Sequence, residues 1–480
     1  MYLQHLYPAP REYQKGQGAY RFGAEATACC TALGREQAER LRTLWHRFCH
    51  TGSGLTLQES GETGFSLHLG EAAVALRPED RYALKATETG VALTARDEKS
   101  LIEGFMTLVQ LICPDDLTEG REAFHIPAAE IHDAPAIGFR AIHLCIFPET
   151  EPRELYKAVH LAGFLKLTHV VLEFWGTYPF EAMRSLAWQG YAWSREQVAE
   201  LISLCRSYGM EIIPMFNHLG HAALASVNGG RHAVLDAEPR KALLFEPDGW
   251  TWCSSNPDTR KLLADIRAEL LEICGPGSYF HLGFDEAYSF ATCEKCRQRV
   301  HHELLAEQLN ALTEELAAHG RRPIIWHDEL INREDFKEKT NCKVVANGQK
   351  HHTAKAIDLL DRRIIIADWQ YHYADGENPT SGYFMEQGFD TILCPWDELE
   401  NIRSLAANAK DLHAFGVMLT TWDHLNTYLR KMPPAADMLW KQGSELTAVE
   451  RTESGALLRT LYDAAGRFEE AGWRRREIEG

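Results

Sequence analysis

The sequence predicts an α/β fold. A (β/α)8 TIM barrel is expected over residues 131–440, a small accessory α+β domain over 1–130 before it, and a C-terminal helical tail packed on the barrel over 441–480. Three observations lead there. From about Ile137, short apolar runs alternate with longer helical patterns, the mark of parallel β/α units. The alternation continues for about 300 residues, the span of a barrel with inserted loops. The first run is followed by Phe147-Pro148-Glu149-Thr150, which lacks the glycine-rich phosphate turn of a doubly wound open sheet.

In the first domain, Phe65–Leu69 alternates as a strand does. Tyr82–Ala86 and Val91–Ala95 are two further β-like runs joined by a turn at Thr89-Gly90. Glu98–Ile112 has helical spacing of Leu101, Ile102, Phe105, Leu108, Val109 and Ile112, and Pro114 follows. In the barrel region the candidate strands are Phe139–Phe147, Thr168–Phe174, Glu211–Asn217, Tyr279–Phe284, Pro323–His327, Lys343–Ala346, Arg363–Trp369, Thr391–Cys394 and Gly416–Thr421. Nine runs are one too many for eight strands, and Lys343–Ala346 is the expected surplus. Between them, Ser194 to Gln197 has capping-box spacing ahead of Val198, Leu201, Ile202 and Cys205, and Gly209 ends that helix. Asn256-Pro257 caps a second helix, with Leu262, Ile266, Leu270 and Ile273 on one stripe. Val300, Leu304, Leu305, Leu309, Leu312 and Leu316 mark a third.

Composition narrows the function classes. The chain has 480 residues, 45% hydrophobic and 25% charged, as expected of a globular protein with more than one core. Its formal net charge of -18 repels phosphate backbones, so nucleic acid is not an expected partner. No 18-residue apolar stretch is present, so no membrane partner is expected either. The N-terminus lacks a basic segment followed by an apolar one, which makes the cytoplasm the expected location, with secretion after removal of a signal as the alternative. The 12 scattered cysteines are then expected to be free thiols.

The sharpest chemical signal is Tyr279-Phe280-His281-Leu282-Gly283-Phe284-Asp285-Glu286, an apolar strand running into two neighbouring carboxylates. In a barrel that position is the active-site face. Two acids there can take different roles if their surroundings split their pKa values, or they can merely complement a helix start. Trp175, Trp326, Trp369 and Trp422 follow other strands and could wall a sugar ring. Arg140 opens the first barrel strand, and its guanidinium could clamp hydroxyls or make a structural ion pair.

These motifs resemble the β-N-acetylhexosaminidases of glycoside hydrolase family twenty, over most of the chain. Tyr82-Ala83-Leu84 and Thr107–Leu111 are similar to the accessory domain, and Ile131–Pro135 with Gly138-Phe139-Arg140 to the approach to the barrel. Ile212-Ile213-Pro214 with Gly220-His221, His281–Glu286, Trp326–Glu329 and Thr420-Thr421-Trp422 resemble the family's strand-end motifs. The resemblance implies an exo-acting retaining hydrolase with no cofactor and no metal, acting on a small-molecule, oligosaccharide or glycoconjugate substrate. It implies that the substrate's own acetamido group is the nucleophile, an exception to the two-carboxylate scheme. A protonated Glu286 would be the general acid, and Asp285 would orient the acetamido group. Arg140 would bind sugar hydroxyls, Trp326, Trp369 and Trp422 would wall the pocket, and His221 would support the acids.

This chain also departs from the family pattern. Asn217 stands where an acid is common, leaving His218 as a neighbour that could rebuild a relay. His424 stands where Glu often holds O4 and O6, which points to tolerance of N-acetylgalactosamine. Pro395-Trp396-Asp397 replaces a Tyr-x-Asp motif, with Tyr371 or Asp397 as substitutes. Two other readings compete: a noncatalytic sugar-binding protein on the same scaffold, and a metal-dependent hydrolase. Cys293 and Cys296, near His301 and His302, could be half of a zinc site, though free thiols are the expectation. A covalent route through Glu329 is a third.

Overall fold

The computed structural model describes residues 6–48, 54–59, 61, 63–70, 76–116, 121–188, 190–222, 233–374, 378–422 and 425–441. His424, and the tail beyond Lys441, lie outside the described residues.

Two sheets organise the described residues. The first contains β1 (Glu12–Gly23), β2 (Ala26–Thr31), β3 (Leu55–Gln58), β4 (Phe65–Leu69), β5 (Tyr82–Thr87), β6 (Gly90–Ala95), β7 (Cys113–Asp116) and β8 (Ala123–Asp133), in the order β1-β8-β5-β6-β4-β2-β3 with β7 also on β8. The helices Arg35–Phe48 and Glu98–Gln110 supply its apolar cover, burying Leu41, Leu44, Trp45, Phe105 and Leu108. β1 carries no hydrophobic alternation because most of its residues are exposed; its pairing with β8 holds it in the sheet.

The second sheet is a closed parallel barrel: β9 (Phe139–Ile146), β10 (His169–Phe174), β11 (Glu211–Met215), β12 (Tyr279–His281), β13 (Arg322–Trp326), β14 (Ile365–Asp368), β15 (Asp390–Leu393) and β16 (Gly416–Thr421). β16 returns to β9 with Gly416 opposite Phe139, where an added Cβ would meet the Phe139 carbonyl oxygen at 2.5 Å. The barrel is thus as expected, and Lys343–Ala346 is the surplus run. Val344 and Ala346 are buried, but Val345 bonds to the Gln370 side chain rather than to a neighbouring strand. Burial had made that run look like a strand.

Strand parity divides the core. Phe139, Ala141, Val171, Ile213, Met215, Ile324, Trp326, Ile365, Ala367, Ile392 and Met418 fill the barrel interior. Ile142, Leu144, Val170 and Leu172 belong to the other core cluster, packed with the surrounding helices and the first domain. The interhelix boundaries follow local chemistry. The Ser194 hydroxyl and the Gln197 side chain form a reciprocal capping box, Asn256 caps Pro257–Cys274, and Gly209 takes φ +70° past the helix Arg195–Ser207.

A buried polar seam joins the first domain to the barrel floor. Asp133, at the end of β8, accepts hydrogen bonds from the Arg11 and Ala134 amides and from Trp440 Nε1, each at 2.9 Å, and from Tyr82. Lys166 Nζ lies 3.7 Å from Asp133 and donates to Tyr82 and Thr107. Arg140 belongs to this seam. It is 1% exposed, pairs with Glu103 at 2.6 Å, and donates to the Ile137, Gly138 and Lys166 carbonyls. It has the outward parity of Ile142 near the start of β9, so it faces away from the strands' C-terminal ends. The expectation that Arg140 clamps sugar hydroxyls is corrected accordingly.

Breaking one partner of a buried ionic cluster costs about 3–5 kcal/mol. Asp133→Ala is therefore expected to lower the midpoint of denaturant unfolding by that order, whereas an exposed pair such as Lys261–Asp265 should be nearly silent when broken. Equal midpoints for wild type and Asp133→Ala would refute the role of the seam.

Candidate active site

The strand ends of the barrel bring two loops against each other. One leaves β11 through Phe216-Asn217-His218-Leu219-Gly220-His221; the other leaves β12 through Leu282-Gly283-Phe284-Asp285-Glu286. They meet closely. A Cβ on Gly220 would lie 1.9 Å from the Asp285 carbonyl oxygen, and one on Gly283 would lie 2.5 Å from the Asn217 side chain. Phe284 (φ +78°), Glu286 (+47°) and His221 (+47°) all occupy the left-handed region. Such backbone costs on the order of 1–3 kcal/mol per residue and persists only where its surroundings enforce it.

Side chains in the layer below provide that enforcement. Asn217 Oδ1 accepts from the Phe284 and Leu219 amides, and its Nδ2 donates to Asp285 Oδ1. Asp328 Oδ2 accepts from the Glu286 amide at 2.9 Å and from Asn347, while its Oδ1 accepts from Trp369 Nε1. Glu329 Oε1 accepts from the Ala287 amide at 3.0 Å, and Thr353 donates to Oε2. Sequence reading assigned no such roles to Asn217, Asp328 or Asn347, because their partners are backbone amides remote in sequence.

His221 is the electrostatic centre. Its Nε2 lies 3.1 Å from Glu286 Oε2 and 3.5 Å from Asp285 Oδ2. Burial alone would lower its pKa, but the Asp285 and Glu286 carboxylates outweigh burial and hold the imidazolium well above the ordinary range. Burial would likewise raise Glu286, yet hydrogen bonds from His221 and Tyr288 keep it below the usual carboxylate value. Trp175 and Trp250 enclose the His221 ring, with centroids at 5.3 and 4.9 Å. Trp250 also donates to the Glu286 carbonyl and stacks on Tyr288. His218 is fully buried with its Nδ1 on the Phe216 carbonyl, so it does not rebuild the relay.

Trp326, Trp369, Tyr371, Asp397 and Trp422 end or follow their strands at the same end of the barrel. Trp326 and Trp422 lie 5.7 Å apart, with His143 in edge contact with both. His143, paired with Glu173 at 2.9 Å, is an interior residue that sequence reading overlooked; its inward parity in β9 was the available signal. Tyr371 accepts from Trp422 Nε1 at 2.6 Å and contacts the rings of Trp369 and Trp396. Asp397 turns to Lys431, 3.0 Å away. His301 donates to the His351 carbonyl instead of joining Cys293 and Cys296.

Burial, with the Asp285 charge nearby, pushes Asp328 up to about 6. Burial, with Asp328 beside it, pushes Glu329 up to about 8 from its ordinary 4.5. Glu329 thus holds a proton at neutral pH that the unfolded chain would lose. The stability from this protonated form is complete below about pH 4.5 and is lost as pH rises through about 8. Wild-type Tm is therefore expected to fall over that window more steeply than the Tm of Glu329→Gln; parallel curves would place the proton elsewhere.

The catalytic-domain model of glycosyl hydrolase family 20 matches residues 169–440, and the model of that family's domain 2 matches residues 3–134. A beta-hexosaminidase of Porphyromonas gingivalis is 22% identical over 365 residues, covering 68% of this chain and 45% of that protein. Hexosaminidase D of Bos taurus is 26% identical over 198 residues, 39% of this chain and 52% of that one. The chain thus spans about half the length of these curated relatives. Among solved structures, a β-N-acetylhexosaminidase from Bacteroides fragilis superposes with a TM-score of 0.71 at 17% identity, covering 96% of each chain. An exo-β-N-acetylglucosaminidase from Vibrio harveyi in complex with N-acetylglucosamine gives 0.71 at 15% identity, covering 96% of this chain and 78% of that one. With more than half of its length matched by the catalytic model, the chain belongs to glycosyl hydrolase family 20.

Proposed function

We propose that the protein is an exo-acting retaining hydrolase that releases terminal β-linked N-acetylhexosamine by substrate-assisted catalysis. The observation that carries this reading is the adjacent pair Asp285 and Glu286, gathered on His221 at an aromatic-walled barrel mouth. Glu286, with a side chain 29% exposed, is the acid that reaches the leaving oxygen. In the free site its pKa is depressed, so it is not itself held protonated as expected; the proton it delivers is stored on the His221 imidazolium. A sugar that displaces water from the cleft disfavours charge on Glu286 and draws that proton across 3.1 Å.

The substrate's acetamido carbonyl then attacks the anomeric carbon. Its tether supplies effective molarity, and a cyclic oxazolinium forms. Asp285, oriented by Asn217, accepts the acetamido N–H and stabilises its growing positive charge. Glu286 next takes a proton from water, which opens the ring with net retention. Trp326, Trp369 and Trp422 form the walls of the ring and acetamido pocket, and the Tyr371 phenol is the candidate grip on the acetamido oxygen. Asp397 is a candidate for the rim. A covalent route through Glu329 is disfavoured, because that carboxyl is 2% exposed, protonated at neutral pH and engaged with Ala287 and Thr353. None of the eleven described cysteines is in a disulfide, which suits a reducing compartment such as the cytoplasm, and among the described residues no helix is long and apolar enough to cross a membrane.

The test is a panel of p-nitrophenyl glycosides. β-GlcNAc and β-GalNAc substrates should turn over, and the β-glucoside, which has no internal nucleophile, should not. Comparable kcat/KM for the glucoside would overturn the mechanism, and sugar binding without turnover would favour a binding protein. Glu286→Gln is expected to abolish turnover of substrates with poor leaving groups, which steady-state assays of such glycosides would check. Asp285→Asn should raise the barrier by about 2–4 kcal/mol; a loss in kcat under about tenfold would remove its assigned role.

A further inference from the structure

The loops behind the acid pair hold a second cluster that this chemistry does not use. Glu246 and Cys253 come from the segment after β11, where Phe245 and Trp252 form an antiparallel bridge. Cys293 and Cys296 come from the turn that follows Glu286. One ligand atom from each of the four residues lies within 4.8 Å of the others. Cys253 Sγ is 3.6 Å from Cys293 Sγ and 3.7 Å from Cys296 Sγ. A tetrahedral zinc ion with Zn–S bonds near 2.3 Å sets its sulfurs about 3.8 Å apart. A disulfide would need about 2.05 Å, and three cysteines cannot all pair with one another.

Two further features point to a ligand. Glu246 is 1% exposed; its Oε2 accepts from the Cys293 amide and Thr292, but its Oε1 is buried and without a hydrogen-bond partner. Leaving such an oxygen unsatisfied is costly, more so when it is charged. The Cys296 amide also donates to Cys293 Sγ at 3.3 Å, the amide-to-sulfur contact that a metal-bound sulfur accepts.

We propose that Glu246, Cys253, Cys293 and Cys296 form a structural zinc site. Four protein ligands close the coordination sphere, so the ion has no open position for catalysis. Its effect is mechanical. It ties the segment that carries Trp250, on the Glu286 carbonyl, and Trp252, on the Asn217 carbonyl, to the loop that descends from the acid pair. Two indole N–H groups of the metal-linked segment, each donating to a backbone carbonyl, thereby brace both halves of the strained site.

Metal analysis of the purified full-length chain by inductively coupled plasma mass spectrometry should find about one zinc per chain, or take-up of one on dialysis against zinc. Chain stripped with a chelator should bind one cobalt(II) with sulfur-to-metal charge-transfer absorption. That absorption should fall by about a third in Cys253→Ser, one thiolate of three, and Glu246→Gln, which keeps the side-chain volume, should weaken cobalt affinity at least tenfold. If Cys253→Ser does not fold, Glu246→Gln and thiol labelling of wild type decide the question. The three thiols should resist a thiol reagent until chelator is added. The proposal is overturned by any of four results: no bound metal after zinc dialysis, labelling indifferent to chelator, metal binding unaffected by these substitutions, or a disulfide among the three cysteines in non-reducing peptide mapping.

Discussion

Two carboxylates on consecutive residues, gathered on one imidazole, form the constraint on which the rest of this site depends. In a half-buried cleft two such acids cannot both stay ionised without a nearby cation, and His221 is that cation. Bringing three groups so close requires a backbone that ordinary strand ends do not offer. Left-handed residues at His221, Phe284 and Glu286, and the absence of a side chain at Gly220 and Gly283, meet that requirement. Asn217, Asp328 and Glu329 bind the amides that this conformation would otherwise leave unsatisfied. Their own burial keeps Glu329 protonated, which limits the negative charge packed around one imidazolium.

The barrel converts this local arrangement into a cleft. Closure sets eight strand ends in one ring, so Trp326, Trp369 and Trp422, from three separate strands, converge with Tyr371 near the acids. Parity within each strand then selects what faces that space. His143 and Arg140 are three residues apart in β9 and face opposite ways: His143 to the aromatic interior, Arg140 to the seam with the first domain. The accessory sheet therefore supports the barrel floor through Asp133, Lys166 and Arg140, away from the cleft.

Much of the fold was legible because it rests on local signals. Buried parallel strands are continuous apolar runs, and helix boundaries carry their own caps; Ser194 and Asn256 cap their helices as their side chains predict. The false strand at Lys343–Ala346 shows the limit of that signal, since burial produces an apolar run with or without a ladder partner. β1 shows the converse, a strand held by its pairing with β8 that has almost no apolar pattern to reveal it.

The same division applies to function. By itself the sequence determined the barrel, the adjacent pair Asp285-Glu286 in the segment that leaves a strand and the aromatic character of the neighbouring strand ends, because these are properties of contiguous residues; the strand itself stops at His281, short of the expected Phe284. Only the tertiary structure decided which way Arg140 points, that His221 bridges the two acids, that Asn217 holds Asp285, and that Glu246 and Cys253 lie beside Cys293 and Cys296. Those relations join side chains tens of residues apart, and their distances depend on strand parity and loop packing, which no local pattern encodes.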